Sequence, residues 1–118
     1  MLNEVGIDIV SIARIQRLID SYGDTFLNRF LSQKEIDLAR YKTQTIAGFW
    51  AAKEACSKAL GVGISKDLTF HDIHIQKDSK QRPIISLSES RLLFFKISKL
   101  SLSISHDAGF AIAIVIAQ

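Results

Sequence analysis

The sequence predicts one domain that combines helices with strands, the helices lying mostly in the first half and the extended segments in the second. Three observations support this fold class. Residues 44–60 are rich in Ala and are typical of one long helix. Residues 4–10 alternate as a strand requires, and residues 100–117 form two alternating runs around a tight turn. A chain of 118 residues is long enough for one domain with a core and too short for two ordinary ones, so we expect a single domain over 1–118.

Composition and net charge indicate which kinds of partner the protein can have. Aliphatic and aromatic residues form 47% of the chain, which is rather apolar for a small monomer and predicts that some surface is buried between subunits. The formal net charge of +3 fits an acidic partner or a phosphorylated ligand. The sequence has no basic tail and no Arg-rich groove with interleaved aromatics, so we do not expect a nucleic-acid partner.

The predicted location is the cytoplasm. The longest apolar run, Phe110–Ala117, is far shorter than the roughly 20 residues of a membrane-spanning helix, so we expect no membrane partner. Glu4 and Asp8 interrupt the apolar residues near the N-terminus, which does not fit a secretory signal. Cys56 is the only cysteine, so no disulfide framework is possible and a reducing compartment fits. Its place on the apolar side of the long helix predicts a core thiol.

Asp8 is the unusual residue of the first predicted strand, Glu4–Val10. Its side chain alternates with those of Ile7 and Ile9 and faces the other side of the strand. Asp is depleted in strands, and its charge is costly to bury without a partner. Two interpretations stay open at this point: Asp8 lies at a solvated end of the strand, or it is held there for a reason such as a bound cation.

Three helices are predicted between this strand and the long helix. Ser11 is suited to cap the first, whose apolar residues recur at helical spacing as far as Tyr22. The second is a short helix over 24–30. Residues 32–35, Ser-Gln-Lys-Glu, have the form of a capping box and start the third, which ends near Arg40.

The long helix has two different faces. At roughly 100° per residue, small side chains share one side, which would let its backbone lie close against a sheet: Gly48, Ala52, Ala55 and Ala59, flanked by Phe49, Cys56 and Leu60. The opposite side points away from the core and carries Trp50, Glu54, Ser57, Lys58 and Gly61. Glu54 and Lys58 are either a surface ion pair worth a few tenths of a kcal/mol or part of a site.

The second half of the chain is mostly extended. Gly61 and Gly63 end the long helix, and they also keep the following backbone free of side chains, so that a ligand can approach it. The remaining predicted elements are a strand over 70–76, a turn over 78–81, a strand over 83–87, a helix over 88–96, and a hairpin with arms 100–106 and 110–117 around Asp107-Ala108-Gly109.

Two apparent histidine motifs are discounted. His71 and His74 have opposite parity on a strand and cannot converge on one metal ion without distortion. Ser105, His106 and Asp107 are the residue types of a hydrolytic triad, but consecutive residues cannot form its hydrogen-bond relay. His106 keeps its interest as a strand-end histidine beside a tight turn.

Three segments together resemble the bacterial holo-acyl-carrier-protein synthases, the small single-chain type of 4'-phosphopantetheinyl transferase. They are Gly6-Ile7-Asp8-Ile9-Val10 near the start, Trp50-Ala51-Ala52-Lys53-Glu54-Ala55 with Ser57-Lys58-Ala59-Leu60-Gly61-Val62-Gly63-Ile64 in the middle, and Ser103-Ile104-Ser105-His106 near the end. The resemblance spans the whole chain in the family's order and at nearly its spacing.

The resemblance implies a reaction, in which the 4'-phosphopantetheine arm of coenzyme A moves to a serine hydroxyl of acyl carrier protein and adenosine 3',5'-bisphosphate is released. Asp8 and Glu54 match the family's two metal ligands, which hold Mg²⁺ against the pyrophosphate. Lys58 matches the lysine near the reacting phosphates. The proton of the serine is taken by Glu54 or by a metal-ordered water. Segments matched to the nucleotide end contain Gly61, Gly63, Ser105 and His106, and His106 is the expected phosphate contact.

The family fold is α+β, with the long helix packed on an antiparallel sheet, and its members usually form trimers with active sites at subunit boundaries. The resemblance therefore implies a homotrimer. Arg14 matches a residue that meets the acidic recognition helix of acyl carrier protein. The other candidates for this surface are Arg17, Phe26, Arg29 and Trp50, each of which is also compatible with a solvated arginine or a packed aromatic.

The sequence departs from the family pattern at two places. The family usually has Arg before the aromatic residue of the long-helix motif, where this chain has Phe49, so one expected phosphate contact is absent. The segment between Glu35 and Ala47 is also shorter than in many relatives. That segment normally carries basic residues near the nucleotide, and the candidates to replace them here are Arg40 and Lys42.

Overall fold

Antiparallel strands form two sheets in a computed structural model, which describes residues 3–118. One sheet has three strands in the order β1-β5-β4, and the other pairs β2 with β3. The elements are β1 (Glu4–Ser11), α1 (Ile12–Tyr22), α2 (Asp24–Phe30), α3 (Gln33–Ala39), α4 (Thr43–Ala59), β2 (Ile73–Lys77), β3 (Pro83–Leu87), α5 (Glu89–Phe95), β4 (Leu100–Asp107) and β5 (Phe110–Ala117). The predicted α+β class is therefore confirmed.

Helix α4 packs on one face of the three-stranded sheet, as its small side chains predict. Gly6 on β1 has no room for a side chain, because a Cβ there would lie 1.9 Å from the carbonyl oxygen of Ala55 and 2.5 Å from the amide nitrogen of Ala59. Both alanines are buried. Close contact between the backbones of β1 and α4 is therefore the feature around which the core is built.

The structure confirms the predicted ends of α1, α3 and α4 to within one residue. Helix α4 runs over Thr43–Ala59, one residue earlier at each end than predicted. Ser11 accepts a 3.2 Å hydrogen bond from the amide of Arg14 at the start of α1. The capping box of α3 is complete, since Ser32 Oγ accepts from the amide of Glu35 at 3.2 Å and Glu35 Oε1 accepts from the amide of Ser32 at 2.8 Å.

The strand predicted over 70–76 was wrong at its start. Residues Phe70–Asp72 form one turn of 3-10 helix, and β2 begins only at Ile73. The reason is local, because the Asp72 carboxylate accepts hydrogen bonds from both the amide and the hydroxyl of Thr69 at 2.9 and 3.0 Å. Such a side-chain bond to the backbone favours a turn over an extended chain.

The outer face of the three-stranded sheet is apolar and exposed in the single chain. Ile7 and Ile9 are 57% and 58% exposed, and the register places Ile7 opposite Ile114 on the neighbouring strand, which is also exposed. The inner face carries Gly6, Asp8 and Val10 against α4. Asp8 therefore does not lie at a solvated strand end; it faces the helix, while the isoleucines face outward.

The C-terminal hairpin forms as predicted, but its turn has two residues rather than three, because Asp107 belongs to β4 and pairs with Phe110. Ala108 and Gly109 both have positive φ values, 51° and 85°, which suit the tight turn of a twisted hairpin. Gly109 accepts a 2.9 Å hydrogen bond from the amide of Ile12, which ties this turn to the start of α1. Within residues 3–118, the structure contains no helix that combines the length and the apolar character needed to cross a membrane.

Candidate active site

Asp8 and Lys58 meet where α4 crosses β1, although 50 positions separate them in the chain. Lys58 Nζ lies 3.0 Å from Asp8 Oδ1 and 3.1 Å from the carbonyl oxygen of Ile7. The Asp8 side chain is only 15% exposed, whereas that of Lys58 is 52% exposed. Of the two interpretations left open for Lys58, the surface ion pair with Glu54 is not the contact formed, because the ammonium group reaches across to the strand instead.

Glu54 lies one helical turn before Lys58, and it is close enough to Asp8 for the two negative charges to repel each other. Burial raises the pKa of Glu54, the negative charge of Asp8 raises it further, and the charges of Lys58 and Arg14 oppose both effects. Two carboxylates that repel each other in a partly buried place are stabilised by any cation that binds between them.

This donor set fits a hard divalent cation. Carboxylate oxygens are the protein ligands that Mg²⁺ prefers, and Mg²⁺ is usually held by one or two carboxylates, with water and phosphate oxygens completing its octahedron. Asp8 Oδ1 is bonded to Lys58, and no hydrogen bond from a described residue engages Oδ2. Within residues 3–118, no cluster of three or more His, Cys, Asp or Glu residues suited to a metal is present. Asp8 and Glu54 are the two carboxylates at this place.

Two residues assigned to the exposed face of α4 point elsewhere. Ser57 is fully buried, and its hydroxyl donates a 2.6 Å hydrogen bond to the carbonyl oxygen of Glu54 within the helix. Trp50 is half-buried in a cluster of aromatic rings, 5.0 Å from the ring of Phe30 and 5.2 Å from that of Phe70. The prediction that both face away from the core was wrong, and for Trp50 the reason is that rings from α2 and from the turn at Phe70 cover it.

The loop after α4 lies directly beyond Lys58. Gly61 and Gly63 have φ values of 78° and 65°, which favour glycine, and the predicted helix stop is confirmed. The amides of Val62 and Gly63 both donate to the carbonyl oxygen of Ser57, at 3.3 and 3.2 Å. A Cβ at either glycine would meet nothing within 4 Å, so the loop borders open space at both positions.

His106 lies on the far side of α4 from Asp8. Its Nε2 atom is 3.0 Å from the carbonyl oxygen of Gln44, and it lines a cavity of about 180 Å³ beside Phe49. The strands that carry Asp8 and His106 are the two edges of the sheet, about 10 Å apart at ordinary strand spacing. Ser105 is exposed on the outer face of the sheet. One chain therefore does not bring Ser105 and His106 to the site of Asp8, Glu54 and Lys58.

The residues assigned to a protein-binding surface lie around α1 and α2. Phe26, Arg29 and Trp50 line one cavity of about 250 Å³, which also contains Leu18, Tyr22, Thr25 and Phe70. Arg14 and Arg17 are exposed on α1, and Arg14 is near enough for its charge to act on Glu54. A largely apolar cavity that includes Arg29 thus lies next to Trp50, one helical turn before Glu54 on α4.

Arg40 and Lys42 line a polar cavity of about 310 Å³, at the start of α4. Lys77 lines both this cavity and the smaller one beside His106. Phe49 stands where an arginine was expected. Its side chain is uncharged and buried, so this position supplies no positive charge to the surface.

Lys53, for which the sequence predicted no role, is fully buried and bonded to Glu35 at 2.8 Å. Burial lowers the pKa of Lys53, and the charge of Glu35 opposes that shift. A signal for its burial was present, because helical spacing aligns Lys53 with Phe49 four residues before it and Cys56 three residues after it. The partner carboxylate was not recognisable, since the capping box already accounted for Glu35.

Comparison with known proteins assigns the chain to a family. Residues 4–115 match the model of the 4'-phosphopantetheinyl transferase superfamily. The chain is 58% identical over 112 residues to the holo-[acyl-carrier-protein] synthase of Helicobacter acinonychis (strain Sheeba), covering 95% of this chain and 97% of that one. The corresponding protein of Campylobacter curvus (strain 525.92) is 55% identical over 112 residues, with the same coverage.

Solved structures agree with this assignment. The Helicobacter pylori holo-[acyl-carrier-protein] synthase, crystallised in complex with coenzyme A, superposes with a TM-score of 0.95 at 56% identity, over 97% of this chain and 99% of that one. The protein from Neisseria meningitidis gives a TM-score of 0.88 at 34% identity, over 98% and 97% of the two chains. The chain therefore belongs to the 4'-phosphopantetheinyl transferase superfamily, and within it to the holo-[acyl-carrier-protein] synthases. It is an enzyme of the transferase class.

Proposed function

We propose that this enzyme transfers the 4'-phosphopantetheine group of coenzyme A to a serine hydroxyl of apo-acyl carrier protein, with Mg²⁺, and releases adenosine 3',5'-bisphosphate. The observation that carries the proposal is the meeting of Asp8, Glu54 and Lys58 at the crossing of β1 and α4. Relatives that match nearly the whole chain are named for this activity, and one was crystallised with coenzyme A. The product is a holo-carrier for fatty acid biosynthesis in the cytoplasm.

The residues of this chain have separable roles in the proposed reaction. Asp8 and Glu54 would hold Mg²⁺, which when bound offsets the charge that grows on the pyrophosphate as it leaves. The ammonium group of Lys58, half-exposed beside Asp8, is placed to bind a phosphate oxygen and to stabilise the same charge.

The proposed reaction forms one bond, breaks one bond and moves one proton. The serine oxygen forms a bond to the β-phosphorus of coenzyme A, and the bond from that phosphorus to the bridging oxygen breaks. The serine proton passes to Glu54, either directly or through a water molecule.

The residues predicted to contact the nucleotide end of coenzyme A lie in two separate places. Gly61 and Gly63 follow Lys58 on one side of α4, whereas Ser105 and His106 lie at the opposite edge of the sheet. One coenzyme A molecule cannot pass through the helix that separates them. We therefore assign the two places to active sites shared between neighbouring copies of the chain, each site taking the carboxylates of one copy and His106 of another.

A homotrimer accounts for both the divided site and the exposed sheet face. Val5, Ile7 and Ile9 on β1, with Ile114 and Ile116 on β5, form an apolar surface that a single chain leaves open to water. A charge placed at its centre by Ile7→Asp should give a monomer in sedimentation analysis, with little transfer activity. Gln76→Asp, an exposed position on β2, is the matched control and should stay trimeric. A trimeric Ile7→Asp variant would contradict this assignment.

We place the carrier protein at the cavity between α1, α2 and Trp50. Arg29 supplies positive charge in its lining, and Phe26 and Trp50 supply apolar surface. Arg14 and Arg17 add exposed positive charge on α1, the helix that contributes Leu18 to the same cavity. An acidic helix with one or two apolar side chains is complementary to such a surface. The site of Asp8 and Glu54 is adjacent, so a serine at the end of that helix would reach it.

The decisive experiment incubates the purified protein with coenzyme A, Mg²⁺ and apo-acyl carrier protein, and measures the carrier mass with and without a chelator. We expect a gain of one phosphopantetheine that disappears on chelation. Glu54→Gln should fold normally and lose activity by at least about 10²-fold, whereas Glu89→Gln, an exposed glutamate on α5, should retain it. A carrier that a known transferase modifies and this protein does not would instead indicate a module that binds coenzyme A without transfer.

A further inference from the structure

We propose that the buried ion pair of Lys53 and Glu35 is a positioning device that sets the shape of the aromatic cavity between α1, α2 and Trp50, and thereby the affinity for the carrier protein. The inference rests on the proposed function, because it assigns the same acidic carrier to this cavity. Neither side chain lines the cavity, and neither takes part in the reaction described above. Both therefore act through other residues.

The Lys53 ammonium group holds three pieces of the chain at once. Its Nζ atom donates to the carbonyl oxygen of Phe30 at 2.7 Å, to Glu35 Oε1 at 2.8 Å and to the carbonyl oxygen of Phe70 at 3.1 Å. An ammonium group has three protons, so every one has an acceptor. These bonds tie α4 to the last residue of α2, to α3 and to the turn before β2.

Glu35 extends the same connection. Its Oε1 atom also accepts from the amide of Ser32, and its Oε2 atom accepts a 2.7 Å bond from the amide of Ile75 on β2. Lys53 is fully buried and Glu35 is 3% exposed, so water cannot substitute for these bonds. The pair thereby sets the distance of β2 and α3 from α4.

The two carbonyl groups bound by Lys53 belong to the residues that hold Trp50. The ring of Trp50 lies 5.0 Å from that of Phe30 and 5.2 Å from that of Phe70, and Phe30 also contacts the ring of Phe26 at 5.1 Å. Phe26, Trp50 and Phe70 form the aromatic wall of the cavity. A change in the position of either carbonyl group therefore moves that wall.

Stability alone does not explain why a charged lysine and glutamate occupy the core. Removing two charges from water is expensive, and apolar residues of similar volume often serve a core equally well or better. Apolar packing is not directional, whereas three hydrogen bonds to fixed acceptors set one geometry. The pair thus supplies what a docking cavity needs, which is a defined arrangement of its aromatic wall.

Lys53→Met tests this role, because Met fills nearly the same volume and donates no hydrogen bond. The control is Ile85→Ala, a buried position on β3 that does not line the cavity, with both variants assayed at a temperature at which they are fully folded. We expect the carrier KM of Lys53→Met to rise about tenfold or more while the coenzyme A KM stays within about twofold of the original. Trp50 is the only tryptophan, and its emission should shift and become more accessible to acrylamide in the folded variant.

Each other outcome contradicts part of the argument. An unchanged carrier KM and Trp50 emission in folded Lys53→Met, or the same changes in Ile85→Ala, would overturn the positioning role. If Lys53→Met does not fold, Glu35→Gln keeps the shape of the partner and removes its charge, with the same expected and contrary results. If the unaltered protein shows no transfer, the proposed function fails, and Trp50 emission then decides separately whether the pair shapes the cavity.

Discussion

Gly6→Ala is the perturbation whose effect follows most directly from the structure. The added methyl group would lie 1.9 Å from the carbonyl oxygen of Ala55 and 2.5 Å from the amide nitrogen of Ala59. Both obstacles are backbone atoms of α4, which cannot rotate away as a side chain can. Either β1 or α4 has to move.

The size of the effect can be worked from these distances. Ordinary van der Waals contact begins at 3.4 Å, so the carbonyl contact requires a displacement of about 1.5 Å in a close-packed core. Such overpacking lowers the free energy of unfolding by about 3 kcal/mol, which for a domain of this size lowers Tm by roughly 12 °C. Asp8 lies two residues along β1, and a shift of about 1 Å at a reacting group reduces activity by about 10²-fold.

Thermal unfolding followed by circular dichroism, with transfer activity measured well below Tm, tests the prediction. The matched control for stability is Gly48→Ala, also on the interface of α4 with the sheet. There the new Cβ would lie 3.1 Å from Ile104 Cγ2 and 3.2 Å from His106 Nε2, which are side-chain atoms that can yield. The gain in helix propensity, about 1 kcal/mol, offsets this contact, so we expect Tm to change by only a few degrees.

A Gly6→Ala variant with the Tm of the unaltered protein would refute the reasoning, because it would mean that β1 and α4 are not in close backbone contact. Equal losses of stability in Gly6→Ala and Gly48→Ala would refute it as well. That result would attribute the loss to a general intolerance of the interface rather than to the particular contact at Gly6.

Three further predictions concern the site and the core. Lys58→Met breaks a half-exposed pair with Asp8, so the unfolding free energy should fall by less than about 1 kcal/mol while transfer falls by at least about 10²-fold; comparable losses in both would contradict a phosphate role. Because the pKa of Glu54 is raised by burial and by Asp8, the stability that its protonated form provides is complete below the unfolded pKa of about 4.3 and is lost as pH rises through the folded pKa. In the absence of divalent cations, Tm should therefore fall more steeply for the unaltered protein than for Glu54→Gln as pH rises above about 4.3 and through the folded pKa. Parallel plots of Tm against pH for the two proteins would contradict this prediction. Burial raises the pKa of the Cys56 thiol to about 12, so iodoacetamide should label it at pH 8 only on unfolding, and labelling of the native protein would contradict the buried position.

Local sequence signals determined the elements of this protein. The Ser11 cap, the Ser32–Glu35 capping box, the small-residue face of the long helix and the turn before Phe110 each act through neighbours in the chain, and the structure bears each of them out. The same signals, with the motifs around Asp8 and Glu54, identified the family. The carboxylates of the candidate site are recognisable because their residue types and spacing are specific.

Tertiary structure decided which groups meet. Lys58 is spaced to pair with Glu54 along the helix but bonds Asp8, because the strand carries that carboxylate to within 3.0 Å. Lys53 and Glu35 are each ordinary helix residues by local criteria, and only the packing of α3 against α4 makes them a buried pair.

The direction in which the first strand faces was decided in the same way. Alternation shows that Ile7 and Asp8 lie on opposite faces, but it does not show which face meets the helix. Gly6 settles this, since only its face allows the backbones of β1 and α4 to approach so closely. Sequence periodicity acts over a few residues, whereas the choice of partner depends on the free energy of packing over the whole core, and for that reason only the tertiary structure contains it.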